Sequence, residues 1–154
     1  MQLSELLRAD AVKVIGSTSS KKRLFQELGD ILGAAYGLRP NRIAGALQDR
    51  ESLGPTGVGH GVALPHARMD GLDRVVGGFV LLEKPVDFDA VDRQPVDLIF
   101  ALLAPEDAGV EHLKALALVS RTMRDAGLCG KLRSNGDPRT LHTVLTDSPK
   151  TRAA

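Results

Sequence analysis

Four histidines, at positions 60, 66, 112 and 142, and an arginine at position 50 are the residues whose types and settings could carry chemistry in this chain. His66 is set apart by its surroundings. Pro65 fixes the backbone just before it, the glycine-rich run from Gly54 to Gly61 permits close approach, and Arg68 follows two positions later. An imidazole with the ordinary pKa of about 6.5 is mostly neutral at neutral pH and attacks phosphorus without a separate base. Phosphoryl transfer spreads charge over the peripheral oxygens of a loose transition state, so positioning and nearby donors dominate its catalysis. Arg50, the N–H groups of residues 54–61 and the start of a helix after Gly109 are the candidate donors. A cation at contact distance offsets part of the roughly −1.5 to −2 charge that a phosphoryl group brings. On residue chemistry alone His66 is either such a nucleophile or a turn residue that hydrogen-bonds in the core, and both readings stay open.

Several other chemistries are excluded by pattern. No lysine followed by serine or threonine ends the glycine-rich run, so it is not a P-loop. Counted from Gly57 or Gly59, the third glycine of a dinucleotide-binding fingerprint is replaced by Val62 or Leu64. Neither G-x-S-x-G nor H-E-x-x-H occurs. His60, His66 and His112 lack an adjoining carboxylate or cysteine pattern that would complete a metal site, although His60 and His66 could share a strand face. No metal and no cofactor is expected. His142, beside Leu141 near the end of the chain, is read as a structural residue, and Cys129 as buried packing.

The elements that must position these residues follow from periodicity. A short helical start near residues 4–7 precedes an alternating strand at 12–15, closed by Gly16. Ser19 or Ser20 caps a helix whose apolar stripe is Leu24, Phe25, Leu28, Ile31, Leu32, Ala35 and Tyr36, with Gly37 as its stop. Pro40 opens a second helix, with Ile43, Leu47 and Arg50 along one face. The glycine-rich run then enters a short strand before His66. Residues 75–82 and 96–104 are apolar enough for buried strands, and 83–95, with Pro85 and Pro95, is a connecting turn region. Helices are expected at 109–124 and 128–133, and again after Asp137 and Pro138 through Leu145. Interleaved strands and helices make this an α/β fold, one domain with a sheet flanked by helices. Residues 1–147 form that domain and 148–154 a disordered tail.

Bulk properties narrow the class further. The 154 residues are 43% hydrophobic and 25% charged, as in a folded globular protein. Twenty basic against nineteen acidic residues leave a net charge of +1, so no overall field draws the chain to nucleic acid or lipid. A lone cysteine and the absence of a signal-like stretch point to the cytoplasm. No run approaches the ~20 apolar residues of a membrane span, so no membrane insertion is expected.

The run Arg50-Glu51-Ser52-Leu53-Gly54-Pro55-Thr56-Gly57-Val58-Gly59-His60-Gly61-Val62-Ala63-Leu64-Pro65-His66 resembles the active-site signature of the mannitol/fructose-type enzyme IIA proteins of the sugar phosphotransferase system, most closely their nitrogen-related branch. Residues 85–92 and 94–105 resemble that family's central strands, and His112-Leu113-Lys114-Ala115-Leu116 its histidine-bearing helix. The resemblance spans roughly residues 3–145. It implies a mixed β-sheet flanked by helices and a phosphocarrier that accepts a phosphoryl group on Nε2 of His66 from an HPr-like carrier protein. It implies that Arg50 holds phosphoryl oxygens and that His112 hydrogen-bonds the phosphate or orients His66. Thr56 either offers its hydroxyl to the phosphate or shapes the turn. The implied onward partner is a IIB component or a regulated target protein, in sugar uptake or nitrogen-related regulation. A regulatory binding module that keeps this fold without phosphotransfer is the alternative. His60 stands where asparagine is common in the nitrogen-related branch, and Ala67-Arg68 where glycine and lysine are frequent.

Overall fold

The computed structural model describes residues 1–147. Its elements are α1 (Leu3–Leu6), β1 (Leu7–Ile15), α2 (Lys21–Tyr36), α3 (Pro40–Glu51), β2 (Gly57–Gly59), β3 (Val62–Ala63), β4 (His66–Met69), β5 (Val76–Val86), β6 (Val96–Pro105), α4 (Val110–Met123), α5 (Ala126–Arg133) and α6 (Pro138–Asp147). The tail expected to be disordered, 148–154, lies outside the described residues.

Sheet order is β1-β5-β6-β3-β2, with β4 also pairing with β6. β1 runs parallel to β5, β5 antiparallel to β6, and β3 and β4 both parallel to β6, which makes the sheet mixed. The long apolar runs of β5 and β6 follow from burial on both faces. Leu98, Phe100, Leu102 and Ala104 enter one core with Ala115, Leu118 and Val119 of α4, Leu128 and Leu132 of α5, and Leu141 and Leu145 of α6. The intervening Ile99, Ala101 and Leu103 enter the other, with Leu24, Phe25, Leu28 and Leu32 of α2 and Ile43 and Leu47 of α3. Alternate residues thus serve opposite helix layers, because a strand's side chains alternate between the two sheet faces.

Helix ends form where the sequence signals them. Ser20 caps α2 by accepting from the Arg23 N–H at 3.0 Å, and Gly37 ends that helix with φ 70°. Pro40 occupies the first turn of α3. Two strands differ from expectation. β1 begins at Leu7, well before residue 12, because exposed residues 8–10 interrupt the alternation where its register on β5 shifts. β5 continues through Glu83, Lys84 and Pro85 to Val86, and those three exposed residues hide its end from a reading based on apolar runs.

Candidate active site

Entry to the site is built by a hairpin and a broken strand. β2 and β3 are joined through His60 and Gly61, both with positive φ (58° and 77°), as a two-residue primed turn demands. The His60 N–H donates to Asp92 Oδ2 at 3.0 Å, while its carbonyl accepts from Arg133 Nη2 at 2.8 Å. The same guanidinium grips both oxygens of Asp97 at 2.9 Å, so α5 clamps the turn against the sheet. β3 and β4 then lie in line along β6, interrupted at Leu64 and Pro65, where a residue without an N–H cannot continue the ladder.

His66 is the first residue of β4 and is half-buried. Its Nδ1 lies 2.9 Å from the carbonyl oxygen of Leu64. A carbonyl only accepts, so the proton sits on Nδ1 and Nε2 keeps its lone pair. Burial pushes the pKa of His66 below 6.5. The Leu64 carbonyl opposes this, the Arg50 charge adds to it and the Glu51 charge opposes it. The ring is therefore neutral at neutral pH.

His112, in the first turn of α4, is only 6% exposed, and its ring meets His66 edge-on at a centroid distance of 5.8 Å. Neither of its ring nitrogens has a hydrogen-bond partner among the described residues. Leaving a buried polar group unsatisfied costs about 1–3 kcal/mol, which makes His112 a candidate for contact with a ligand. Burial, then His66, then Arg68 hold its pKa below the ordinary value. Arg50, half-buried in the last turn of α3, donates one Nη1–H to the Gly54 carbonyl at 3.0 Å and keeps further donors of its fork. The site thus draws one residue from each helix layer and one from the sheet.

Other expected participants are placed differently. Thr56 is buried, and its hydroxyl donates to Glu51 Oε1 while its N–H donates to Glu51 Oε2 at 3.0 Å. Among the loop N–H groups, those of Gly54, Thr56 and His60 already donate within the protein. His60 sits at the hairpin tip and shares no strand face with His66. No group of three or more His, Cys, Asp or Glu among the described residues could hold a metal ion. His142 donates from Nε2 to the Leu7 carbonyl at 2.9 Å, joining α6 to β1, and Cys129 is buried with its Sγ 3.3 Å from the Met123 carbonyl.

Residue type and spacing alone do not single out Glu51 and its partner Lys21. A signal exists: Glu51 falls four residues beyond Leu47 and eight beyond Ile43, so it prolongs the buried face of α3 with a carboxylate that must find partners. Leu53, Val110 and Leu113, exposed by 84%, 62% and 64%, are apolar surface residues within three positions of Arg50 or His112 in the sequence. No described helix is long and apolar enough to cross a membrane.

Residues 5–148 match the family described as "Phosphoenolpyruvate-dependent sugar phosphotransferase system, EIIA 2". A nitrogen regulatory protein of Bradyrhizobium diazoefficiens is 40% identical over 153 residues, covering 99% of this chain and 100% of the relative. The crystal structure of nitrogen regulatory protein IIA-Ntr from Neisseria meningitidis superposes with a TM-score of 0.85 at 36% identity, covering 94% of this chain and 99% of the other. The fold is also that of enzyme IIA mannitol from Escherichia coli in its complex with phosphorylated enzyme IIB mannitol, with a TM-score of 0.70 at 19% identity, covering 90% of this chain and 98% of the other.

Proposed function

The chain belongs to the EIIA 2 family of the phosphoenolpyruvate-dependent sugar phosphotransferase system, and from that premise we propose that it is a histidine phosphocarrier whose acceptor atom is Nε2 of His66. The observation that carries this reading is the bond from Nδ1–H to the Leu64 carbonyl, which leaves a neutral ring with its lone pair on the remote nitrogen. The donor is an HPr-like phosphocarrier protein. The Nε2 lone pair attacks phosphorus as the bond from phosphorus to the donor's imidazole nitrogen breaks, and that nitrogen recovers the electron pair. The three peripheral oxygens gain charge in transit. Arg50 answers that charge with its remaining N–H donors, and His112, whose nitrogens have no partner among the described residues, supplies an N–H to a phosphoryl oxygen.

Both identified nitrogen regulatory proteins favour a regulatory over a transport role. A charge of nearly two units appears or disappears at His66, so a protein that docks over it reads the phosphorylation state. The IIB component seen bound to the mannitol IIA protein is the corresponding partner for a transport role. Incubation with a phosphorylated HPr-like carrier tests the assignment. The wild-type chain gains one acid-labile phosphate and His66→Ala gains none; a fully labelled alanine variant removes His66 as the acceptor.

A further inference from the structure

Glu51 is a carboxylate at the end of an apolar helix face, 7% exposed, and the phosphoryl transfer described above gives it no task. A buried charge persists only when paired and hydrogen-bonded. Glu51 has three such contacts. Lys21 Nζ lies 2.8 Å from Oε2, and Thr56 supplies its N–H to one oxygen and its hydroxyl to the other. Lys21 is in turn seated in the first turn of α2 over the Phe88 ring, 4.7 Å from its centroid, and Phe88 packs edge-on against Phe25 at 5.7 Å. One side of the carboxylate is thereby tied to the core beneath α2.

Its other side leads to the nucleophile. Thr56, held by Glu51 through its N–H and hydroxyl, accepts at its carbonyl from the Leu64 N–H at 2.9 Å. The Leu64 carbonyl accepts Nδ1–H of His66 at 2.9 Å. An unbroken run of hydrogen bonds therefore joins Lys21, Glu51, Thr56, Leu64 and His66. Arg50, the preceding residue, holds the Gly54 carbonyl, so consecutive residues of α3 secure both ends of the segment 54–56.

We propose that Glu51 is a positioning residue for the phosphoacceptor: acting through Thr56 and Leu64, it fixes which imidazole nitrogen of His66 carries the proton and where the other one points. It touches neither the phosphoryl group nor the donor. The proposal rests on His66 being the acceptor, and it assigns Thr56 to this relay rather than to the phosphate. A purely structural Glu51 would alter thermal stability in its variants but not the tautomer or the turnover of the molecules that remain folded.

The deciding experiment compares wild type, Glu51→Gln, Thr56→Val and Thr56→Ser by nitrogen-15 NMR of the imidazoles and by phosphoryl transfer from a phosphorylated HPr-like carrier. Wild type shows His66 protonated on Nδ1. Glu51→Gln and Thr56→Val show a mixture of tautomers and a kcat lowered roughly tenfold to hundredfold, the scale of a misplaced reacting group. Their KM for the carrier stays within about threefold, because the docking surface is untouched. Thr56→Ser, which keeps the hydroxyl, retains the wild-type tautomer and rate. Wild-type tautomer and kcat in Thr56→Val, or a Thr56→Ser variant no better than Thr56→Val, overturns the proposal even if Glu51→Gln fails to fold. A wild-type chain that accepts no phosphate refutes the phosphocarrier assignment instead, while the NMR comparison still judges the relay.

Discussion

The imidazole rings of His66 and His112 meet edge-on, their centroids 5.8 Å apart and their planes at 64°. One ring comes from a sheet strand and is oriented by a backbone carbonyl, whereas the other comes from a helix and has no hydrogen-bond partner at either nitrogen among the described residues. The pair is asymmetric, one imidazole held by the Leu64 carbonyl and the other without a hydrogen-bond partner among the described residues. His112→Ala is expected to slow phosphoryl uptake on His66 by about a hundredfold, the usual loss when one preorganised donor is removed from a developing oxyanion. Single-turnover labelling from the phosphorylated carrier measures this, and a rate within twofold of wild type would exclude His112 from the transfer.

Acid should weaken the unphosphorylated fold. The pKa values of His66 and His112 are both held below the ordinary 6.5, chiefly by burial, so below that pH the unfolded chain binds more protons than the folded one. Stability from these two residues is complete above about pH 6.5 and is lost as pH falls from there through the lowered folded values. Thermal unfolding midpoints between pH 7.5 and 5 should drop across that window, and His112→Gln should flatten the drop. An unchanged slope in the variant would mean that His112 binds its proton equally well in the folded and unfolded chain.

Arg50 is predicted to act on His66 in two separable ways. Its charge depresses the histidine's pKa, so Arg50→Ala should raise the titration midpoint of His66 in an NMR titration without any phosphate present. The same variant should lose about tenfold to a thousandfold in transfer rate, while Arg50→Lys recovers the charge but not the planar fork that spans the Gly54 carbonyl and a phosphoryl oxygen. An unmoved titration midpoint and an unmoved rate in Arg50→Ala would together remove Arg50 from the site.

The hairpin turn gives a prediction about stability alone. His60 adopts φ 58°, a region in which asparagine is at home, and it precedes a glycine as a primed turn prefers. His60→Asn should therefore stabilise the protein by up to about 1 kcal/mol and leave phosphoryl transfer unchanged. Gly61→Ala should cost about 1–3 kcal/mol, since φ is 77° there and a Cβ would fall 2.5 Å from Arg133 Nη2 and 2.8 Å from Asp97 Oδ1. Denaturant midpoints decide both.

Much of the frame is legible in the residue order because its causes are local or periodic. Ser20, Gly37 and Pro40 mark helix ends by capping and backbone preference. The stripe from Leu24 to Tyr36 and the apolar run of 96–104 name a helix and a buried strand by their spacing alone. β1 and β5 are longer than their apolar patterns, since the exposed polar residues at 8–10 and 83–85 follow the strand path without showing the alternation. Around His66 the sequence signals only the short strand that enters it; β2 stays hidden because it pairs with β3 across a positive-φ turn, and β4 because its partner β6 lies far along the chain.

By itself the sequence determined an α/β domain with helices flanking a sheet, whose mixed character came through the family resemblance, and a short set of chemically able residues that includes His66, Arg50, His112 and Thr56. Tertiary structure decided which of them meet and in what state. His66 and His112 are 46 positions apart, and their ring contact exists only because β4 and the first turn of α4 lie at the same part of the sheet. The protonation of His66 depends on the Leu64 carbonyl, and the direction of the Thr56 hydroxyl depends on a buried Glu51. Local preferences act through a few neighbouring residues, whereas hydrogen-bond partners, burial and pKa are set by groups that only the folded chain brings together.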